Sequence, residues 1–575
     1  MNQKLENILN VSLDATEDEL RKADSLSTGY NWRDNTWEII VKYSGSLESI
    51  RNRYNVYIKE LLNYYAIIVA DKATIELISQ EDVIDYVEKP KSLYYQIERT
   101  KTAACVGSVR ADGNILSGKG VIVGVIDTGI DIFDNAFRNS DGTTRILNIY
   151  DQTTGEKYDK QSIDEYIRLN EDLSGGTFSY DNAPGVDNIM HGTDVSYIAA
   201  GSLGVAYEAD IIAVKMGYSI NNQFPRTTSL MDAIDYIIRK AIEYRKPVAV
   251  NISYGCNYGA HNGNTLLESF IDDISKSYRC VICVGSGNEA DKAIHFGGII
   301  NTGQVQTAYL SVGEYQSAID IQIWKNYWDT IDVMLINPRG EQIGIITEGR
   351  INRYETYNTE IITLLGEPSP YNIYQEIYIN LIPKTDYILS GIWQIVLMAG
   401  SIRAGEYNIW LPSSQALGYA TAFNNPTADG TITIPATARN CIAVGAYNAY
   451  TNSYAAFSGR GFDNSIRNVN AGVKPDITAP GVDISIARQR GNDITYRNVT
   501  GTSYAVPVVT GAALLMQWGI VMGNDRFMYG EKLKAALIDG SKPVGLVGIT
   551  RNDNQPDPRT GWGAVCLKNT LNKIL

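Results

Sequence analysis

Histidine is scarce in this chain: three in 575 residues, at positions 191, 261 and 295. Any step that needs an imidazole must draw on one of them. Cysteine is sparse too. Cys105, Cys256, Cys280, Cys283, Cys441 and Cys566 sit mostly among apolar neighbours, which reads as buried free thiols rather than a disulfide framework. Cys280 and Cys283 form a C-x-x-C, but Val281 and Ile282 between them belong to a strand-like run. Residues three apart on a strand face opposite ways, which argues against a zinc or redox pair. Positive charge is in deficit, with 50 Lys+Arg against 64 Asp+Glu and a net charge of −14. That balance argues against nucleic acid or an anionic membrane as a partner. No apolar run approaches the ~18 to 20 residues that span a bilayer. The polar N-terminus, MNQKLENILNVSLDATEDEL, lacks the apolar core of a signal peptide. An intracellular protein without a membrane span is expected.

What is present is a core-forming composition, 44% hydrophobic with 51 glycines, in a chain long enough for several units. Residues 1–96 read as a small α+β unit. Trp37–Tyr43 alternates like a strand, Ser46–Leu62 reads as largely helical, and Tyr65–Val69 is strand-like. A helix over Lys72–Gln80 and a short strand over Val83–Val87 follow. From 97 to 296 short apolar runs alternate with helical spacing, the signature of a parallel sheet with helices on both faces. Val121–Ile126, Ile211–Lys215, Val248–Ile252, Cys280–Val284 and, further on, Cys441–Ala446 are such runs, suited to strands buried on both sides. Between 297 and 415 the period becomes two, in runs such as Ile319–Trp324, Ile331–Ile336, Glu376–Ile382, Trp393–Met398 and Tyr407–Leu411. This is an inserted all-β domain, a two-sheet sandwich or jelly roll; a β extension of the main sheet is the alternative. The α/β pattern resumes over 416–575.

Three motifs carry chemistry. Asp127 closes the apolar run in Val-Ile-Val-Gly-Val-Ile-Asp-Thr-Gly-Ile-Asp131, so its carboxylate emerges at the carboxyl edge of a sheet. Asp131 reads as a turn or cap. His191 opens His-Gly-Thr-Asp-Val-Ser-Tyr-Ile-Ala-Ala-Gly201, whose small residues let a helix approach a sheet closely. Ser503 stands in Gly-Thr-Ser-Tyr-Ala-Val-Pro507, at the start of a helix whose free N–H groups favour developing negative charge. Pro507 is read as lying in the first turn, where no N–H is needed. His261 and His295 have no such context and are read as bystanders, lining the cleft or at the surface.

Asp, then His, then Ser in this order and context resembles the subtilisin-like serine proteases. The resemblance implies a Ser503–His191–Asp127 triad. It implies an oxyanion hole from Asn288, in Val-Gly-Ser-Gly-Asn-Glu289, together with the Ser503 N–H. It also implies a substrate cleft walled by Asn251, Ser253, Tyr254 and Gly255 on one side and Gly285, Ser286 and Gly287 on the other. Tyr254 departs from the smaller aliphatic residue common there. Residues 1–96 then look like a prodomain, a folding template and inhibitor, with a regulatory or docking domain as the alternative. Gly204–Lys215, Phe457–Gly461, Lys474–Gly481 and Gly561–Gly563 also look subtilase-like.

The acidic N-terminal segment and the β insert after Gly-Ser-Gly-Asn-Glu narrow the likeness to the Csp germination proteases of clostridial spore formers. That implies self-cleavage in the linker Tyr94-Tyr95-Gln96-Ile97, a prodomain retained non-covalently, and a peptide substrate that is the precursor of a spore-cortex lytic enzyme. No cofactor is required, and calcium stays open because no EF-hand-like run is present. Two other readings remain: a pseudoprotease-like signalling protein that keeps its prodomain, and a general intracellular subtilase.

Overall fold

The computed structural model describes residues 3–91, 94–95, 110–111, 114–171, 183–217, 224–344, 346, 350–462, 472–490, 493–545 and 556–575. At its centre seven strands run parallel in the order Ile146–Asp151, Asp210–Lys215, Ile122–Asp127, Val248–Ile252, Cys280–Gly285, Ile442–Asn448 and Ile477–Pro480. Glu156–Asp159 and Ser453–Tyr454 add short antiparallel edges. Alternation sorts the side chains between two faces. Val123, Val125, Val281 and Cys283 meet the helices His191–Ala200 and Thr502–Thr510. Ile122, Ile126, Cys280 and Ile282 meet Thr227–Tyr244 and Leu266–Ser277. Each buried Val or Ile contributes roughly 1.5 to 3 kcal/mol. Cys280 and Cys283 thus lie on opposite faces, both as buried free thiols. Ile122–Asp127 is the strand at which the chain switches direction across the sheet, and such a point exposes its carboxyl end as a ligand crevice.

The helical run Thr502–Val521 is, contrary to expectation, long and apolar enough by length and composition to cross a membrane. Yet 83% of that stretch is buried inside the protein, as the central helix of a core would be.

The N-terminal unit is a five-stranded antiparallel sheet. Where one helix over Ser46–Leu62 is expected, the chain forms a helix only over Glu48–Tyr54 and then a strand, Tyr57–Glu60. Asn55 ends the helix in the left-handed region (φ 48°). Val56 and Ile58 then turn inward while Tyr57 stays exposed, a period of two that the edge of Tyr65–Ala70 captures by pairing. One face of this sheet, with Ile40, Tyr65 and Ile67, packs on the helices Thr227–Tyr244 and Leu266–Ser277. The other, with Ile39, Val41 and Ile68, shares a core with Ile362, Leu364, Tyr378 and Ile382 of the β insert.

The insert is two antiparallel sheets of six and five strands around one apolar core. Its pairing runs slightly past both ends of 297–415, since His295–Ile299 belongs to the first sheet and Ala422–Phe423 to the second. It does not extend the central sheet.

Candidate active site

Asp127 ends its strand fully buried, and its Oδ1 lies 2.6 Å from His191 Nδ1. A carboxylate can only accept, so Nδ1 carries the proton and Nε2 is left as the basic nitrogen. The Thr128 N–H donates to the same Oδ1 at 2.7 Å. His191 is the first residue of its helix, follows Met190 in the left-handed region (φ 67°), and is 2% exposed. Its Nε2 is buried and makes no hydrogen bond, so none joins it to Ser503 here. The ring of Tyr504, next to Ser503, lies 5.3 Å from the His191 ring.

Ser503 is the second residue of the helix Thr502–Thr510, behind Gly501, whose φ of 149° favours glycine. Pro507 is not in the first turn, as expected, but past it. Its N–H would have bonded the Ser503 carbonyl four residues back; that carbonyl instead accepts from Ser253 Oγ at 3.2 Å. Asn251 Nδ2 donates to Ser253 Oγ at 3.0 Å, and Thr510 Oγ1 to Asn251 Oδ1 at 3.2 Å. The side chains of Asn251 and Ser253 therefore brace the serine helix from beneath.

Asn288 is turned toward the same helix. Its Oδ1 accepts from Thr502 N–H and Oγ1–H, both at 3.0 Å, while its Nδ2 is buried without a partner. The neighbouring residues are fixed by backbone bonds: Ser286 N–H donates to Val444 O (2.9 Å), and Thr433 N–H to Ser286 O (3.0 Å). Gly287 (φ 94°) has no room for a side chain, because a Cβ would fall 2.5 Å from Thr433 Cγ2. Gly285 ends its strand opposite Val444. Glu289 is buried, which pushes its carboxyl up to about 7, and it accepts from Ser414 N–H and Oγ–H of the segment leaving the insert.

Tyr254 and Gly255 form a two-residue strand that pairs antiparallel with Tyr94–Tyr95, Tyr254 opposite Tyr95 and Gly255 opposite Tyr94. The bulk of Tyr254 is buried in the apolar cluster beneath the sheet. Gln96 and Ile97 lie outside the described residues, as does Cys105.

Several contributors escaped the sequence reading. Asp187 binds Thr128 and Thr193, and Arg488 and Arg497 bind both the Met190 carbonyl (2.9 and 3.0 Å) and the buried Asp194. An Asp four residues before His191 was the one visible signal; the arginines, some 300 positions away, left none. Asp131 makes a turn, its Oδ1 accepting from Phe133 N–H at 3.1 Å. His261 and His295 do not lie at the surface. Both are buried and stack on Trp410 at 4.2 and 4.9 Å, where the insert joins the core. Among the described residues no group of three or more His, Cys, Asp or Glu side chains gathers as a metal site would.

Residues 3–91 match the Csp protease B prodomain, and residues 118–368 and 404–563 match the Subtilase family. Among solved structures, the CspB protease of Clostridium perfringens is similar with a TM-score of 0.72 and 34% identity, over 79% of this chain and 93% of that one. The Subtilase-type proteinase RRT12 of Saccharomyces cerevisiae is 33% identical over 128 residues, covering 22% of this chain and 23% of the yeast protein. The chain thus matches under a quarter of the length of that curated relative. The Subtilase match alone spans more than half of the sequence, and the chain belongs to the subtilase family, with a Csp-type prodomain at its N-terminus.

Proposed function

We propose that this protein is a serine endopeptidase that cuts its own prodomain free and then acts by limited proteolysis on a second protein. The observation that carries this reading is the unsatisfied Nε2 of His191, on a ring held by Asp127. Nε2 takes the proton of Ser503 Oγ as that oxygen attacks the scissile carbonyl. Asp127 steadies the resulting imidazolium, and the negative oxygen of the tetrahedral intermediate receives Asn288 Nδ2–H and Ser503 N–H at the start of a helix. His191 then passes its proton to the leaving amine, and water hydrolyses the acyl-serine by the same steps in reverse.

The prodomain supplies the first substrate. Tyr94–Tyr95 lies as an added strand on Tyr254–Gly255, the mode by which extended peptides bind a sheet edge. Cleavage is assigned to the bond after Gln96, the residue that follows the paired Tyr95. The prodomain then stays bound, since its sheet is buried between the core helices and the insert. Its exit is further opposed where Lys91 N–H donates to Thr227 Oγ1 at 2.7 Å and Leu266 N–H to Glu88 Oε2 at 2.8 Å.

The likeness to the CspB protease supports a germination role: activation, inside the spore, of the precursor of a cortex-lytic enzyme. Intact-mass analysis tests the chemistry. Wild type should appear as two fragments parting after Gln96, and Ser503→Ala as one full-length chain; equal unprocessed masses would refute self-cleavage. Incubation of the active protein with spore extract, followed by N-terminal proteomics, tests the role. One new terminus in a cortex hydrolase is expected, and broad degradation would instead favour a general subtilase.

A further inference from the structure

We propose that Asp187 is a positioning residue that fixes His191 against Asp127, a reading that rests on the serine-protease chemistry above. Asp187 precedes the histidine by four residues and is fully buried. Its carboxylate gathers donors from both catalytic motifs. Oδ1 accepts Thr128 Oγ1–H and Met190 N–H, each at 2.7 Å. Oδ2 accepts Thr193 N–H at 2.8 Å and Thr193 Oγ1–H at 2.7 Å. The two hydroxyls carry the link further: Thr128 Oγ1 accepts Gly192 N–H at 2.9 Å, and Thr193 Oγ1 accepts Asp131 N–H at 3.0 Å. Thr128 follows Asp127, while Met190 and Gly192 flank His191. One side chain therefore ties the segment that presents the carboxylate to the segment that presents the imidazole.

Only an anion suits this place. Four donors converge on two oxygens, and an amide would turn its NH₂ toward two of them. The tie also restrains an uncommon backbone. Met190 has a φ of 67°, a region that side-chain-bearing residues seldom adopt. Its N–H is held by Asp187, and its carbonyl by Arg488 and Arg497. The two motifs touch without slack, since a Cβ on Gly192 would lie 2.3 Å from Gly129 O and 2.9 Å from Asp127 Cβ. A small drift of one segment past the other is thus transmitted directly to the Asp127–His191 bond. Asp187 acts through Thr128, Met190 and Thr193.

Self-processing of the full chain supplies the test, because an intramolecular cut reads the chemical step without substrate affinity. The first-order rate is followed after a pulse of synthesis across about pH 5 to 9. Asp187→Asn should slow it ~30- to 100-fold, the scale of a sub-ångström misplacement. The acid limb of its pH profile should also move to lower pH, as the imidazolium loses part of its hold on Asp127. Thr128→Val, which deletes the linking hydroxyl, should slow the cut at least ~10-fold, whereas Thr128→Ser should stay within about threefold of wild type. The double variant Asp187→Asn/Thr128→Val should be little slower than its slower parent, since both remove one link. A rate for Asp187→Asn within about threefold of wild type would overturn the proposal. So would a slow rate with an unshifted pH profile. If Asp187→Asn fails to fold, equal rates for Thr128→Ser and Thr128→Val overturn it instead. Should Ser503→Ala still process itself, the serine-protease reading fails and the role of Asp187 falls with it, whereas the Asp187 and Thr128 outcomes above overturn that role alone.

Discussion

His191 and the pair His261 and His295 are buried to the same degree, 2%, 2% and 1% exposed, yet they occupy two kinds of interior. Beside the insert both nitrogens of each ring face an oxygen, and the neutral ring donates its one N–H to one of the two. His261 lies against Ile432 O and Asn257 O (2.6 and 3.3 Å), and His295 against Thr427 O and Asn408 Oδ1 (3.1 and 3.0 Å). At the rim of the central sheet, His191 has one nitrogen on Asp127 and the other on nothing. The two asparagines repeat the contrast. Asn408 uses its oxygen on His295 and its nitrogen on Glu406, whereas Asn288 leaves its nitrogen unused. Burying a polar atom without a partner costs free energy that packing must offset. At the rim the atoms left over are ones that a reacting group would complete, and the two regions differ in that respect.

The largest effect that could break the contrast is on rate. His191→Ala should cut processing by about 10⁴- to 10⁶-fold at a modest cost in stability, since the unsatisfied Nε2 leaves with the ring while Asp127, losing the Nδ1–H, keeps the Thr128 N–H. His295→Ala should do the opposite: lose about 3 kcal/mol or more of stability through the emptied stack and process at close to the normal rate. Paired thermal melts and mass analysis of the two variants check this, and a swapped pattern would abolish the distinction. Next comes the prodomain's own ion cluster, where Lys91→Met leaves the buried Glu88, and the partly buried Glu6 beside it, without their cation. Breaking such a pair costs about 3 to 5 kcal/mol, seen as a lower urea midpoint in a Ser503→Ala background. Asn288→Ala should then reduce turnover by about 10² to 10³ with little change in stability. An equal loss of stability would mean that its Thr502 bonds, rather than its free N–H, are what the protein needs.

How much of this was legible depended on how local each signal was. The strands of the central sheet were readable because burial on both faces leaves an unbroken apolar run in one short stretch. The approach of the Asp127 and His191 segments was readable because the small residues around them allow the close packing that their contact demands. Tyr57–Glu60 was lost because a four-residue edge strand beside a helix has too few periods to tell two from 3.6. The bracing by the Asn251 and Ser253 side chains went unread for a different reason. Ser253 meets a carbonyl that Pro507 leaves unbonded, and Asn251 meets Thr510 Oγ1, each some 250 residues away. The histidine stack was invisible because Trp410, which orders it, lies more than 100 positions from either ring in sequence. Asp187 was one acidic residue in an unremarkable loop; its meaning lies in which donors surround it.

The smallest effect sharpens the contrast through acid. Burial holds His261 and His295 down to about 4 from the ordinary 6.5, so both are neutral in the folded protein over most of the accessible range. The unfolded chain takes up a proton at each below pH 6.5, and the folded chain does not. Their contribution to stability is therefore fully present above pH 6.5 and is lost as the pH falls toward 4. Buried carboxylates pull the other way: Glu289, Glu376 and Glu406 are pushed up to about 7 and Asp320 to about 6, so their folded forms gain as acid protonates them. The total can consequently look flat, and only a difference isolates the histidines. In a Ser503→Ala background, His295→Gln removes one of the two titrations and leaves the carboxylates in place. Between pH 7.5 and 4.5 this variant should lose roughly 2 to 3 kcal/mol less than its parent by urea unfolding. Equal losses would mean that His295 is already charged in the folded protein, donating to Thr427 O and Asn408 Oδ1 at once, and burial would then not be what governs this ring.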